Sequence, residues 1–144
     1  MTVETVTIRA RTLTMDDIIA RLEKATGPDR ELDGDISEAI GFSPVDYRRG
    51  EPRWASMYWF QLSDRVDPWP CPPYTASIDA ALTLVPEGAD WNVGANPPSA
   101  DIAHRAERWM TDECFSATPA IALCIAALKA RTLALNIQKR EGAK

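Results

Sequence analysis

Thr118-Pro-Ala-Ile-Ala-Leu-Cys-Ile-Ala-Ala-Leu128 is the stretch on which the fold turns. Threonine is a good N-cap and proline is pre-set for a first helical turn, so the pair opens a helix. Ile121, Cys124, Ile125 and Leu128 recur at the spacing of one helix face. Between them Ala120, Ala122, Ala126 and Ala127 leave room for neighbours to approach closely. The pattern predicts a closing helix over 118–137, amphipathic after Lys129, with a frayed tail over 138–144. Cys124 falls within it as a buried core thiol.

Upstream, Ile78, Ala81, Leu82 and Val85 give a second amphipathic helix over Thr75–Val85, stopped by Pro86-Glu-Gly88. Thr14 and Asp17 read as a capping box opening a helix to about Ala25, with Ile18 and Leu22 inward. Pro28 is placed as the first residue of another helix, whose Leu32, Ile36 and Ile40 share a face up to Gly41. Val3–Arg9 alternates like a strand or extended arm. The 42–73 segment is proline- and aromatic-rich. Within it Trp54–Leu62 reads as a strand, while Asp67-Pro-Trp-Pro-Cys-Pro-Pro73 reads as a rigid connector without regular structure. Trp91-Asn-Val93 reads as a short strand. Ala100–Met110 fits two periods: a helix burying Ile102, Ala106, Trp109 and Met110, or a strand alternating Ile102, His104 and Ala106.

The 144 residues carry 45% hydrophobic and 26% charged residues, the make-up of a single globular domain over 1–144. A net charge of −5 argues against nonspecific nucleic-acid binding, which needs a basic face. The N-terminal stretch has no signal-peptide core, and the apolar run Ala117–Leu128 is shorter than a bilayer span. Neither a membrane partner nor a secreted form is therefore expected. Cys71, Cys114 and Cys124 have no metal-type spacing, and the reading is a cytoplasmic protein with free thiols.

Three segments, taken in order, resemble the phage ABA sandwich domain family of small phage and prophage proteins. They are Gly27-Pro-Asp-Arg-Glu-Leu-Asp33 with its helix to Ile40-Gly41, Pro73-Tyr-Thr-Ala-Ser-Ile-Asp-Ala-Ala-Leu82, and Ser116-Ala-Thr-Pro-Ala-Ile-Ala-Leu-Cys-Ile-Ala-Ala-Leu128. The resemblance spans most of Gly27–Arg131 and is concentrated in those helices. It implies phage or prophage origin and an α+β fold, a small antiparallel β-sheet layered with helices in an α/β/α sandwich-like arrangement. It also implies a strand over Ala100–Arg108. It brings no activity and no catalytic residues.

Few residues look chemical. Asp29–Glu38 imitates a calcium loop, but Ile40 stands where the bidentate glutamate is required, so these acids read as a solvated helix face. His104 is the single histidine, so any histidine-based catalysis must use it, with Cys71 or Cys114 as conceivable nucleophiles. No phosphate loop, HExxH or GxSxG motif occurs. No cofactor, metal site or catalytic residue is expected, and the chain reads as non-enzymatic. The candidate ligand-binding residues are Arg48, Arg53, Trp54, Tyr58 and Trp59, with His104, Arg105 and Arg108 repeating the mixture. Aromatics stack on bases, and guanidinium forks take phosphate oxygens. Three readings arise: a phage factor that sequesters a small anionic, nucleotide-like ligand; one that docks on a host protein through the same segment; and, third, a small enzyme using His104 with Cys114 or a carboxylate. The N-terminal arm and the long closing helix could each build a homo-oligomer.

Overall fold

In the computed structural model, which describes residues 14–44, 57–60 and 69–142, the closing helix α4 (Pro119–Gly142) is the centre of the molecule. Thr118 opens it as expected, its Oγ1 accepting from the Ile121 amide at 3.2 Å. Every residue from Ala120 to Leu128 is buried. Burying the Ile121, Leu123, Ile125 and Leu128 side chains stabilises the fold by roughly 1.5–3 kcal/mol each. The helix continues to Gly142, beyond the expected end at 137. Pro119–Arg140 is long and apolar enough to cross a bilayer by length and hydropathy, a longer run than Ala117–Leu128. Here that apolarity is met by helices on one side and a sheet on the other.

On the helical side pack α1 (Met15–Lys24), α2 (Arg30–Ala39) and the short α3 (Ile78–Leu82). The expected capping box closes α1: Thr14 Oγ1 accepts from the Asp17 amide and the Asp17 carboxylate accepts from the Thr14 amide, both at 3.1 Å. Helix α2 begins two positions later than expected, at Arg30 instead of Pro28. Asp29 is its cap, accepting from the Glu31 and Leu32 amides, so Pro28 lies just outside. Gly41, at φ +108°, ends it in the left-handed conformation that glycine adopts without strain. Polar ties join the layer: Arg21 pairs with Asp35 at 2.6 Å, Lys129 with Glu23 at 3.6 Å, and Arg131 Nε donates to the Leu84 carbonyl at 2.7 Å.

The expected helix over Thr75–Val85 is reduced to α3. Tyr74 and Thr75 are held in a turn by side-chain and backbone bonds to distant residues, and Ser77 caps only the short helix beyond them. Ile78, expected inward, is 39% exposed, while Tyr74 and Leu84 are buried.

Two antiparallel sheets complete the α+β fold. Strands β1 (Phe42–Pro44), β2 (Met57–Phe60) and β3 (Trp69–Pro70) form one, so part of the expected Trp54–Leu62 strand is present. The expected connector is corrected at Trp69–Pro70, which pairs with β2 at an edge, where proline is tolerated. Strands β4 (Asp90–Ala95), β5 (Pro98–His104), β6 (Trp109–Met110) and β7 (Cys114–Phe115) form the other, with β4 on one side of β5 and both β6 and β7 pairing with β5. The strand reading of Ala100–Arg108 therefore holds as far as His104, after which residues 105–108 turn the chain. Val3–Arg9 lies outside the described residues.

Candidate functional site

Cross-strand partners share a face of a sheet, so register alone sorts the four-stranded sheet into two surfaces. Val93, Ala100 and Cys114 face α4, as do Ile102, Trp109 and His104. All but Val93 and His104 are buried, and Val93 packs against the core. The opposite face carries Gly94–Ser99–Phe115, Asn92–Asp101 and Asp90–Ala103–Met110. There Met110 is 68% and Phe115 55% exposed, Met110 at the β6 end where it also borders Ile19, Lys129 and Leu133. Trp91, on the inner face but at the edge strand, is 46% exposed.

Sequence reasoning missed Met110 and Phe115. A helical reading of 100–110 buries Met110 beside Trp109. Once the segment is a strand, alternation sends Trp109 inward and Met110 out. The same alternation turns Cys114 inward and Phe115 outward. The signal was present, but it became legible only when the period was known.

Of the eight candidate residues, Arg48, Arg53 and Trp54 lie outside the described residues. Tyr58 and Trp59 are placed by their register in β2, opposite Pro44 and Ser43 of β1. The remaining three sit at the β5–β6 turn. His104 Nδ1 accepts from the Glu107 amide at 3.1 Å, and its ring lies 5.6 Å from that of Trp109. Arg105 is 92% exposed and pairs with Asp90 at 3.5 Å. Arg108 is exposed at φ +61°, its amide donating to the His104 carbonyl at 2.8 Å. Arg105 borders an open hollow with Ala89, Asp90, Trp91, Asn92 and Ala103. Together the three residues lock a hairpin turn through bonds to neighbouring protein groups.

Cys114 and His104 have separate partners. The Cys114 thiol donates to the Asp112 carbonyl at 3.4 Å, and burial pushes its pKa up, away from a reactive thiolate. Cys114 pairs with Ala100, four residues along β5 from His104, roughly 13 Å at about 3.3 Å per residue. Burial also pushes the Cys124 thiol up, and that thiol donates to the Tyr74 carbonyl at 3.2 Å.

The acids of 29–38 require a correction. Asp33 is fully buried and Asp35 is 5% exposed, so this is not a solvated face. Asp33 Oδ1 accepts from the Thr75 amide and hydroxyl at 2.8 and 2.9 Å, and Oδ2 accepts from Arg30 at 2.8 Å. Arg30 also donates to the Cys71 carbonyl at 2.8 Å. Ser37 lies 3.6 Å from the Cys71 sulfur and hydrogen-bonds Tyr74, whose hydroxyl burial pushes up to about 12. Desolvation raises the Asp33 carboxyl above 3.8 against the pull of Thr75 and Arg30. This network clamps α2 to the Cys71–Thr75 segment. Among the described residues, every buried side-chain nitrogen or oxygen has a partner.

A second open groove, about 410 Å³, runs between α1, α4 and the β6 end of the sheet, lined by Ile19, Met110, Thr111, Asp112, Lys129 and Leu133. Among the described residues no cluster of three or more His, Cys, Asp or Glu is arranged to hold a metal ion. Comparison of the chain with family models finds no match, and comparison with curated proteins and with solved structures finds none either.

Proposed function

We propose that this chain is a non-enzymatic binding protein that docks on a protein partner through the open face of its four-stranded sheet. The observation that carries the reading is the pair Met110 and Phe115, each more than half exposed and both on the outer side of the sheet by register. They stand opposite Ala103 and Ser99 of β5, roughly 13 Å apart along the strand at about 3.3 Å per residue. With Asp90, Asn92 and Asp101 on the same face, they make two apolar anchors set in a polar surface. The acidic surface would speed encounter with a basic partner. The resemblance of the three motif segments to phage proteins supports phage origin.

The small-anion reading is served less well. Arg105, its best placed described residue, already answers Asp90 in an open hollow, where an anion would meet a carboxylate beside the guanidinium. Catalysis through His104 with Cys114 is likewise poorly served, since Cys114 lies roughly 13 Å away along β5 at about 3.3 Å per residue and donates to the Asp112 carbonyl.

The test is quantitative affinity capture from host lysate with wild type, a Met110→Ser/Phe115→Ser double variant and a Leu135→Ser control. Leu135 is 53% exposed on α4, away from the sheet face. The expected result is one stoichiometric protein held by wild type and the control and lost from the double variant, whose stability stays within about 0.5 kcal/mol of wild type. Equal retention by all three forms sinks the reading. So does a bound nucleotide-like molecule in native mass spectra of the wild type with no protein partner.

A further inference from the structure

We propose that the free edge of β4 takes up an extended, basic strand of the partner by β-augmentation. The inference rests on the protein-binding reading above and adds the mode of docking and the chemistry of the bound segment. Strand β4 pairs with β5 through six consecutive residues, Asp90 to Ala95, without a bulge. Its other side has no strand partner among the described residues, so half of its backbone N–H and C=O groups face outward. Natural proteins blunt such edges with lysine, proline, a bulge or a covering element. Asp-Trp-Asn-Val-Gly-Ala carries neither lysine nor proline. Asp90, Trp91, Asn92 and Ala95 are all exposed along it.

The charge around this edge selects the occupant. Exposed Glu87 precedes the strand, Asp90 lies on it, and Asp101 sits one strand inward, accepting from Asn92 at 3.1 Å. Arg105 pairs with Asp90, at an exposed contact of 3.5 Å that a competing cation could displace. An added strand would alternate its side chains between the two sheet faces. On the outer face, lysine or arginine would reach Asp90 and, across Asn92, Asp101. On the inner face, an aliphatic residue would cover Trp91 and Val93. A second copy of this chain is a poorer fit, because each brings a net charge of −5 and the same acidic edge.

The probe is a ten-residue peptide alternating lysine and valine, titrated into the full chain while amide hydrogen exchange is followed residue by residue. Main-chain bonding predicts slowed exchange at the outward amides of β4. A Trp91→Ala variant and an Asp90→Asn/Asp101→Asn variant should each bind several-fold more weakly. A peptide of the same charge with alternate backbone nitrogens methylated should not bind, which separates strand addition from simple charge attraction. Equal binding of a glutamate–valine peptide, unchanged β4 exchange, or β4 protection that grows with protein concentration alone would overturn the proposal. Met110→Ser/Phe115→Ser lies across β5 from this edge and should keep the peptide. Partner capture retained by this double variant therefore strikes the parent reading, whereas capture lost as expected from a protein whose wild type fails to bind the peptide strikes this one alone.

Discussion

Asp33 is a first-turn acid of α2, and such acids ordinarily face water beside the positive end of the helix. Its burial comes from Thr75, which meets it from 42 positions further along the chain. No local pattern could announce that partner. The caps at Thr14 and Thr118, by contrast, were legible because donor and acceptor lie within three residues of each other. Asp33→Ala should cost about 1–3 kcal/mol, since it leaves the buried Thr75 amide without its acceptor. Thr75→Val, which removes the hydroxyl's bonds to the Asp33 carboxylate and to the Asp29 amide and carbonyl but keeps the Thr75 amide bond, should cost about 1–3 kcal/mol. The pH dependence has a definite sign. With the folded carboxyl raised above 3.8, the unfolded chain releases its proton first as pH climbs. Stability from this group is therefore complete at low pH and falls as pH rises through the raised value. Urea denaturation between pH 3 and 7 should show the gap between wild type and Asp33→Asn narrowing with rising pH. A gap that widens contradicts the assignment.

At the scale of elements, the β5–β6 hairpin shows how one turn is over-determined. His104 takes the Glu107 amide, Arg108 adopts a positive φ, and the imidazole lies against Gly88. A Cβ at Gly88 would stand 3.0 Å from His104 Nε2, at a φ of +84°. Gly88→Ala should therefore lose roughly 1–2 kcal/mol, read as a fall in Tm of several degrees. Gly27→Ala is the contrast: nothing lies within 4 Å of its Cβ, and it should be close to neutral. Equal effects from the two would remove His104 from the turn's support. The same elements mark where sequence reading stopped. Periodicity identified α1, α2 and α4 because each repeats an apolar face over ten or more residues. It failed between 100 and 110, where a strand, a four-residue turn and a second strand together mimic a helical spacing. Helix α3 shrank for a related reason, as its expected first turn was claimed by bonds to α2 and α4.

For the whole molecule, α4 is the shared wall: helices cover one side, a sheet the other, and all three cysteines are buried. Native protein should consequently react slowly with a thiol reagent, and labelling of Cys114 and Cys124 should follow global unfolding across a urea series. Rapid labelling of either at zero urea would reveal a local opening that this packing does not predict. The α+β class was legible because α4 demands burial on every side over 120–128, which a few short elements can supply. The candidate interface was not legible, since exposure of Met110 and Phe115 depends on which strands pair and which face α4 takes. The docking face is tested most directly by placing a photo-crosslinking phenylalanine analogue at position 115, and separately at 135, and irradiating host cells that make each form. A covalent adduct with one discrete protein is expected from position 115 and none from 135. No adduct at 115, or the same adducts from both positions, would contradict docking through this face.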